Sequence, residues 1–321
     1  MKEYYRCKII DNCANFSMLK AHFIKLGEKR FKRFATNQTK DIISTGKNEA
    51  LLKAFFCAAG YKKNQLNFLE LFDRFNCYPN EIREKYFEAI LWGESGLLPD
   101  PVAADIDKNL KDFFQNIWQQ WWRIRQPTTN KINWIKTGIR PQNYPERRIA
   151  AICSFIQQFS LQPFNFFYDE INSASDIKIF EKRIYNLIQQ NDPLWDNFYN
   201  FSIQTPQTTA VFGKNRANDF IINGLLPTLY GQTLLPKADN EKYSENLLTD
   251  RSKALNLWLS MNNGIKNKIT IEIANRCHLN AEQAKIISKS NACNQGAIEL
   301  YKEYCSPCLK NCTHCKVEKY L

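Results

Sequence analysis

The chain has 321 residues, of which 44% are hydrophobic and 24% charged, with only 11 glycines and 12 prolines. That length and apolar content exclude a disordered tail, and the scarcity of turn residues excludes a turn-rich β architecture, so the expected fold is all-α, a multi-helix bundle in one or two lobes. The formal charge of +12 favours polyanions as partners, while no run of about 18 apolar residues and no apolar leader in Met1–Ile10 argue for a cytoplasmic protein without a membrane span.

The positive charge is uneven. Residues 1–70 carry 14 Lys and Arg against 6 Asp and Glu, and residues 123–148 carry seven against Glu146 alone. From Met18 to Phe34, Leu19, Phe23, Leu26 and Phe34 recur at near-helical spacing with Lys25, Lys29, Arg30, Lys32 and Arg33 between them. This spacing predicts a basic amphipathic helix whose charged face is either solvated surface or a contact for phosphates, with a membrane-surface helix as a third reading.

Lys47–Ala59 is the next predicted helix, closed by Gly60, followed by Gln65–Phe75 and by Glu81–Trp92, where Gly93 is placed as a C′ residue. Val102–Arg125 follows, with Phe114, Trp118, Trp121 and Trp122 on one stripe. Such tryptophans read as core, or as a base-stacking platform if they are exposed. Periodicity then fails over 126–145, where Pro127, Gly138, Pro141 and Pro145 mark a connecting loop. Helices resume at Glu146–Phe159, Asp176–Gln190, Gly213–Tyr230 and Asn240–Met261, with Pro227 expected to kink its helix or mark its exit. Lys268–Ala274 fits a strand or a helix, Asn280 reads as an N-cap for a helix through Ser288, and Ala292–Tyr304 closes the series. The pattern gives a basic helical lobe at 1–125, a loop at 126–145, a second lobe at 146–300 and a tail at 301–321.

That tail carries the strongest chemistry. Cys305, Cys308, Cys312 and Cys315 form two C-x-x-C pairs three residues apart. Each C-x-x-C turn aims two soft sulfurs at one point, and two turns complete a tetrahedron. The expected cofactor is zinc, with an iron–sulfur cluster as the alternative, since closely spaced cysteines also hold cubanes. His314 is a substitute ligand, and Cys293 and the Cys277-His278 pair are outside candidates. A closed four-sulfur knuckle has no open coordination position, so its role is to tie down the terminus.

Several strings resemble, in order, the family of uncharacterised bacterial proteins called domain of unknown function 2851. They are Ala54–Asn64, Glu88–Leu98, Gly138–Ala150, Phe220–Gly231 and Asn294–Cys305. The resemblance implies that longer relatives begin with a nuclease-like domain and that this chain covers the helical region after it. It also implies a tail of three cysteines, matching Cys305, Cys312 and Cys315, to which Cys308 is an addition. Within the shared strings, prolines set a loop that enters a helix, bringing Arg140, Asn143, Arg147 and Arg148 to that helix's N-terminus. Those donors read either as an anion site or as arginines locked to a buried Asp or Glu.

No phosphate loop, nucleophile elbow or zinc-protease motif occurs, and Asp176-Ile177-Lys178 reads as a helix start rather than a nuclease pair. The sequence reading is therefore a nonenzymatic module associated with DNA or RNA through Lys29, Arg30, Lys32, Arg33, Arg123, Arg125 and the arginine loop, with a structural metal site. A protein-interaction scaffold is the alternative, and a metal-dependent nuclease-like hydrolase the weaker one.

Overall fold

The computed structural model describes residues 6–11, 13–102, 105–126, 131–173, 177–235, 245–262 and 267–307, together with Cys312, Cys315 and Val317. The helices in chain order are α1 (Phe16–Thr45), α2 (Lys47–Asn76), α3 (Asn80–Glu94), α4 (Lys108–Ile124), α5 (Pro145–Phe159), α6 (Pro163–Ser173) and α7 (Ile177–Ile188). They continue as α8 (Lys214–Phe220), α9 (Leu226–Gln232), α10 (Glu245–Ser260), α11 (Lys268–Arg276), α12 (Ala281–Lys289) and α13 (Asn291–Leu300). Among the described residues no β-strand forms, only isolated bridges such as Gln190 with Phe212. The fold is all-α. No helix among the described residues is long and apolar enough to cross a membrane.

The stretch 268–274, open between strand and helix on its alternation, is the body of α11. Asn267 caps it by accepting from the Ile269 N–H, and Thr270 and Ile273 turn inward one helical turn apart while Ile271 points out. Asn280 caps α12 with a complete capping box, its side chain accepting from Gln283 N and Gln283 returning a bond to Asn280 N. Pro227 does not end its helix. The chain passes from α8 through a π-turn at Ile221–Leu225 into α9, the wider turn accommodating a residue that cannot donate.

Two compact units arise, one from Met1–Ile43, Ala174–Glu181 and Leu226–Leu321, the other from Ser44–Ser173 and Lys182–Leu225. This grouping unites the two ends of the chain, unlike the consecutive lobes at 1–125 and 146–300 expected from composition. The physical reason lies in α13, whose ten residues are all buried. It packs on α10, α11 and α12, and its backbone meets that of α1. A Cβ on Gly296 would overlap the Phe23 carbonyl, and one on Gly27 would overlap that of Ala292. Only glycine allows this crossing, so Gly296→Ala is expected to lower stability by about 1–3 kcal/mol, since the obstructing atoms are backbone. Gly213, with nothing within 4 Å of its would-be Cβ, is the control: its alanine variant should leave the urea midpoint almost unchanged.

In the second unit α2 is central and packs on α3, α5, α6 and α8. Its two halves meet at a break on Tyr61 (φ 49°), one residue past the stop that Gly60 suggested. Phe55 stacks on Phe155 with ring centroids 3.9 Å apart, and Trp92 stacks on Trp195 at 5.0 Å. Gly93 is not a C′ residue. It lies inside α3, and the Trp121 ring rests where its Cβ would be, so glycine serves close approach rather than termination. The segment after residue 130 is no loose connector either. Asn64 exchanges two hydrogen bonds with the Ile135 backbone at 2.8 and 2.9 Å, Asn67 donates to the Asn133 carbonyl and Lys63 to that of Thr137. These side chains supply α2 with the role of a partner strand and fasten the segment along it.

Candidate functional site

The basic face of α1 is largely answered from within its own unit. Arg30 is buried, donating Nε to Gln295 Oε1 at 2.7 Å and Nη1 to Glu299 Oε2 at 3.2 Å. Arg33 reaches both oxygens of the same carboxylate, at 2.9 and 2.7 Å from Nη2. Lys29 pairs with Glu303 at 2.7 Å, and Lys32 lies 3.6 Å from Glu28 one turn back. Burial lowers the Arg30 pKa and the Glu299 bond opposes that shift. The four residues therefore differ: Arg30 is a core cation out of reach of a phosphate, while Lys29, Lys32 and Arg33 remain half-exposed beside carboxylates.

At the end of α4 the arrangement is different. Asp107 caps the helix start by accepting from Asn109 N, and Leu110, Phe114, Ile117 and Trp121 form the buried face. Trp118 and Trp122, one turn apart, stand on its flank with ring centroids 5.6 Å apart and tilted by 56°. Trp122 is 46% exposed, and the Arg125 guanidinium sits 3.4 Å from its ring centroid. Arg123 and Gln119 are exposed beside it. The tryptophan stripe is thus split, Trp121 going inward and Trp122 outward, because successive helical residues point about 100° apart.

Arg147 and Arg148 do not face a helix N-terminus pocket. Both are buried and aim at the segment 195–211. Arg147 donates Nη1 to the carbonyls of Trp195 (2.7 Å) and Phe198, and Nη2 to the carbonyl (2.6 Å) and hydroxyl (3.0 Å) of Thr209 and the carbonyl of Ala210 (3.2 Å). Arg148 donates to the Val211 carbonyl and to Asn143 Oδ1. The acceptors are main-chain carbonyls, not the buried Asp or Glu that the sequence suggested. Burial lowers both guanidinium pKa values. Arg140 alone of the four stays at the surface, with its carbonyl accepting from Asn143 N.

Of the tail, Cys305, Cys312 and Cys315 are described; Cys308 and His314, like Asp176, fall outside the described residues. Cys305 is buried in an apolar cluster with Cys7 and Cys277, against which Cys13 and Cys315 pack. Burial pushes the Cys305 thiol up to about 12. A hydrogen bond between the Cys7 and Cys277 side chains lowers the pKa of Cys7 and raises that of Cys277, burial adding to the rise. Cys312 Sγ lies 3.8 Å from Nη1 of Arg276. Among the described residues no three Cys, His, Asp or Glu side chains converge tightly enough to hold an ion.

The family model described as protein of unknown function (DUF2851) matches residues 5–253. The chain belongs to that family. No curated protein and no solved structure matches it. The matched range takes in the arginine loop, the α4 face and the basic face of α1, and ends before α11, so the cysteines of the tail lie beyond it. Sequence reasoning missed Glu299 and Cys7. A carboxylate in the middle of an apolar, small-residue helix is the signal for the first: Glu299 is fully buried among Ala297, Ile298 and Leu300, which a lone glutamate tolerates only with a cation opposite. For Cys7 no local signal exists, since its neighbours come from the far end of the chain.

Proposed function

We propose that this protein is a nonenzymatic helical module that associates with single-stranded DNA or RNA through the end of α4, and that its cysteine-rich tail holds a structural zinc ion. The observation that carries the first part is the exposed Trp122 ring with Arg125 stacked over it and Trp118 beside it. Aromatic faces that stack on bases, edged by arginines that meet phosphates, suit single strands of any sequence. Arg123 and Arg125 supply charge there, with Arg140 and the half-exposed Lys29, Lys32 and Arg33 of α1 as secondary contacts.

The test is fluorescence anisotropy of labelled oligonucleotides at low and moderate salt. Affinity should fall steeply as salt rises. Trp122→Ala should weaken it about 5- to 100-fold, from the roughly 1–3 kcal/mol that one stacked base contributes. Absence of binding at low salt, or an unchanged affinity in the Trp122→Ala, Arg125→Ala double variant, sinks the reading.

The pairing of Arg30, Arg33 and Lys29 with Glu299 and Glu303 favours a second reading, a protein-interaction scaffold whose basic residues are internal ties and solvated surface. A stable co-purifying protein with no oligonucleotide affinity would select it. The hydrolase alternative draws no support from the described residues, among which no acidic trio gathers.

A further inference from the structure

Cysteines from three distant parts of the chain share one corner of the first unit. Cys7 comes from the amino-terminal segment, Cys277 from the end of α11 and Cys305 from the start of the tail, and all three are buried in the same cluster. The backbone N–H of Cys7 donates to the Arg276 carbonyl at 2.9 Å, which fixes that segment beside α11. The thiols of Cys7 and Cys277 are in hydrogen-bonding contact, and no disulfide joins either of them or Cys305. Arg276, 3% exposed, pairs with Glu272 at 3.0 Å and approaches Cys312 Sγ at 3.8 Å.

A cysteine used merely as a small apolar side chain has no reason to gather with others around a buried cation. Cys153, buried in α5, is an example of that plain use. Thiolates around a divalent ion leave a net negative charge, which a buried guanidinium offsets. In a tetrahedron of bonds of about 2.3 Å neighbouring sulfurs stand roughly 3.8 Å apart, the separation of two thiols in hydrogen-bonding contact. A change of χ1 carries a sulfur through about 3 Å, the scale on which such a cluster closes on an ion.

We infer that the ion of the tail is bound by both ends of the chain, with Cys7, Cys277, Cys305 and Cys312 as its sulfur ligands and Cys308 outside the coordination shell. The inference rests on the reading of the tail as a zinc site and changes its consequence: the metal fastens the amino-terminal segment and α11 to the tail, rather than closing a knuckle within the tail alone. Each thiol gives up its proton as zinc enters, so loading releases protons and weakens at low pH.

The test is elemental analysis of the full chain, purified anaerobically from zinc-supplemented cells and dialysed against a mild chelator, with Cys7→Ser, Cys277→Ser and Cys308→Ser variants alongside. One zinc per chain is expected in the wild type and in Cys308→Ser, falling at least tenfold in the other two. Zinc kept by Cys7→Ser and Cys277→Ser but lost by Cys308→Ser overturns the inference and leaves the tail knuckle standing, whereas a wild type without zinc removes both. Because a serine variant can fail to fold, the unmodified protein is also titrated with an organomercurial while released zinc is followed by a coloured chelator. Cys7 and Cys277 should be modified in step with zinc release and Cys308 before it; Cys7 still unmodified after full release overturns the inference.

Discussion

Glu299→Ala is expected to destabilise the first unit by about 3–5 kcal/mol, the cost of breaking a buried ion pair from one side. The carboxylate is fully buried and accepts from Arg30 and, through both its oxygens, from Arg33. Without it the Arg30 guanidinium stays in the core with Gln295 as its polar contact and the Phe34 ring 4.5 Å from its carbon, while Arg33, half-exposed, turns to water at little cost. Glu299→Gln keeps an acceptor but not the charge and should fall between wild type and alanine. A paired Arg30→Met, Glu299→Leu variant should recover much of the loss, because the expense lies in the orphaned charge rather than in the absent bridge. Urea unfolding checks all three through the midpoint at constant slope. A single alanine variant within about 1 kcal/mol of wild type would mean that water reaches Arg30 and that the α1–α13 contact is held by the Gly27–Gly296 crossing alone.

Where bonds run between near neighbours in the chain, the sequence was readable. The N-cap at Asn280, the proline opening α5 and the basic amphipathic character of α1 all depend on residues one to four positions apart, and each appears where the pattern put it. The misreadings share a cause. Gly60 and Gly93 were taken as helix stops because local chemistry offers that use first. Instead the break falls on Tyr61, and Gly93 makes room for a ring 28 residues away. The segment 131–140 lacks periodicity because α2 side chains, not its own residues, complete its backbone bonds. Glu299 meets Arg33 across 266 positions, and Cys7 meets Cys277 from the opposite end of the chain. Composition could announce four lysines and arginines on α1 but not the carboxylates that face them, so the face most basic in sequence is not the most available cationic surface. That distinction passes to Arg123 and Arg125 beside Trp122, whose exposure no periodicity argument fixes without knowing which flank of α4 the core covers.

Arg147→Ala should produce the other large loss, at least about 3 kcal/mol, the worth of two charge-assisted hydrogen bonds in a buried setting. The segment 195–211 contains two isolated bridges and a short 3-10 turn at Trp195–Asn197 but no long helix to satisfy its carbonyls. One planar guanidinium collects those of Trp195, Phe198, Thr209 and Ala210 from both arms of the segment. Asp196 reinforces the fold-back by accepting from Val211 N at 2.9 Å. Arg147→Lys should recover little, because an ammonium is a compact point donor and cannot span acceptors on two sides of a fork. The readout that separates this role from general destabilisation is hydrogen exchange. Amides of 195–211 should lose protection first and most in either variant, while α13, in the other unit, exchanges at its wild-type rate. Uniform loss across both units would instead make Arg147 an ordinary core residue. If alanine left the segment as protected as in the wild type, the carbonyls would have to be satisfied by water, and the inward-facing arginines of the shared loop would again need a ligand to explain them.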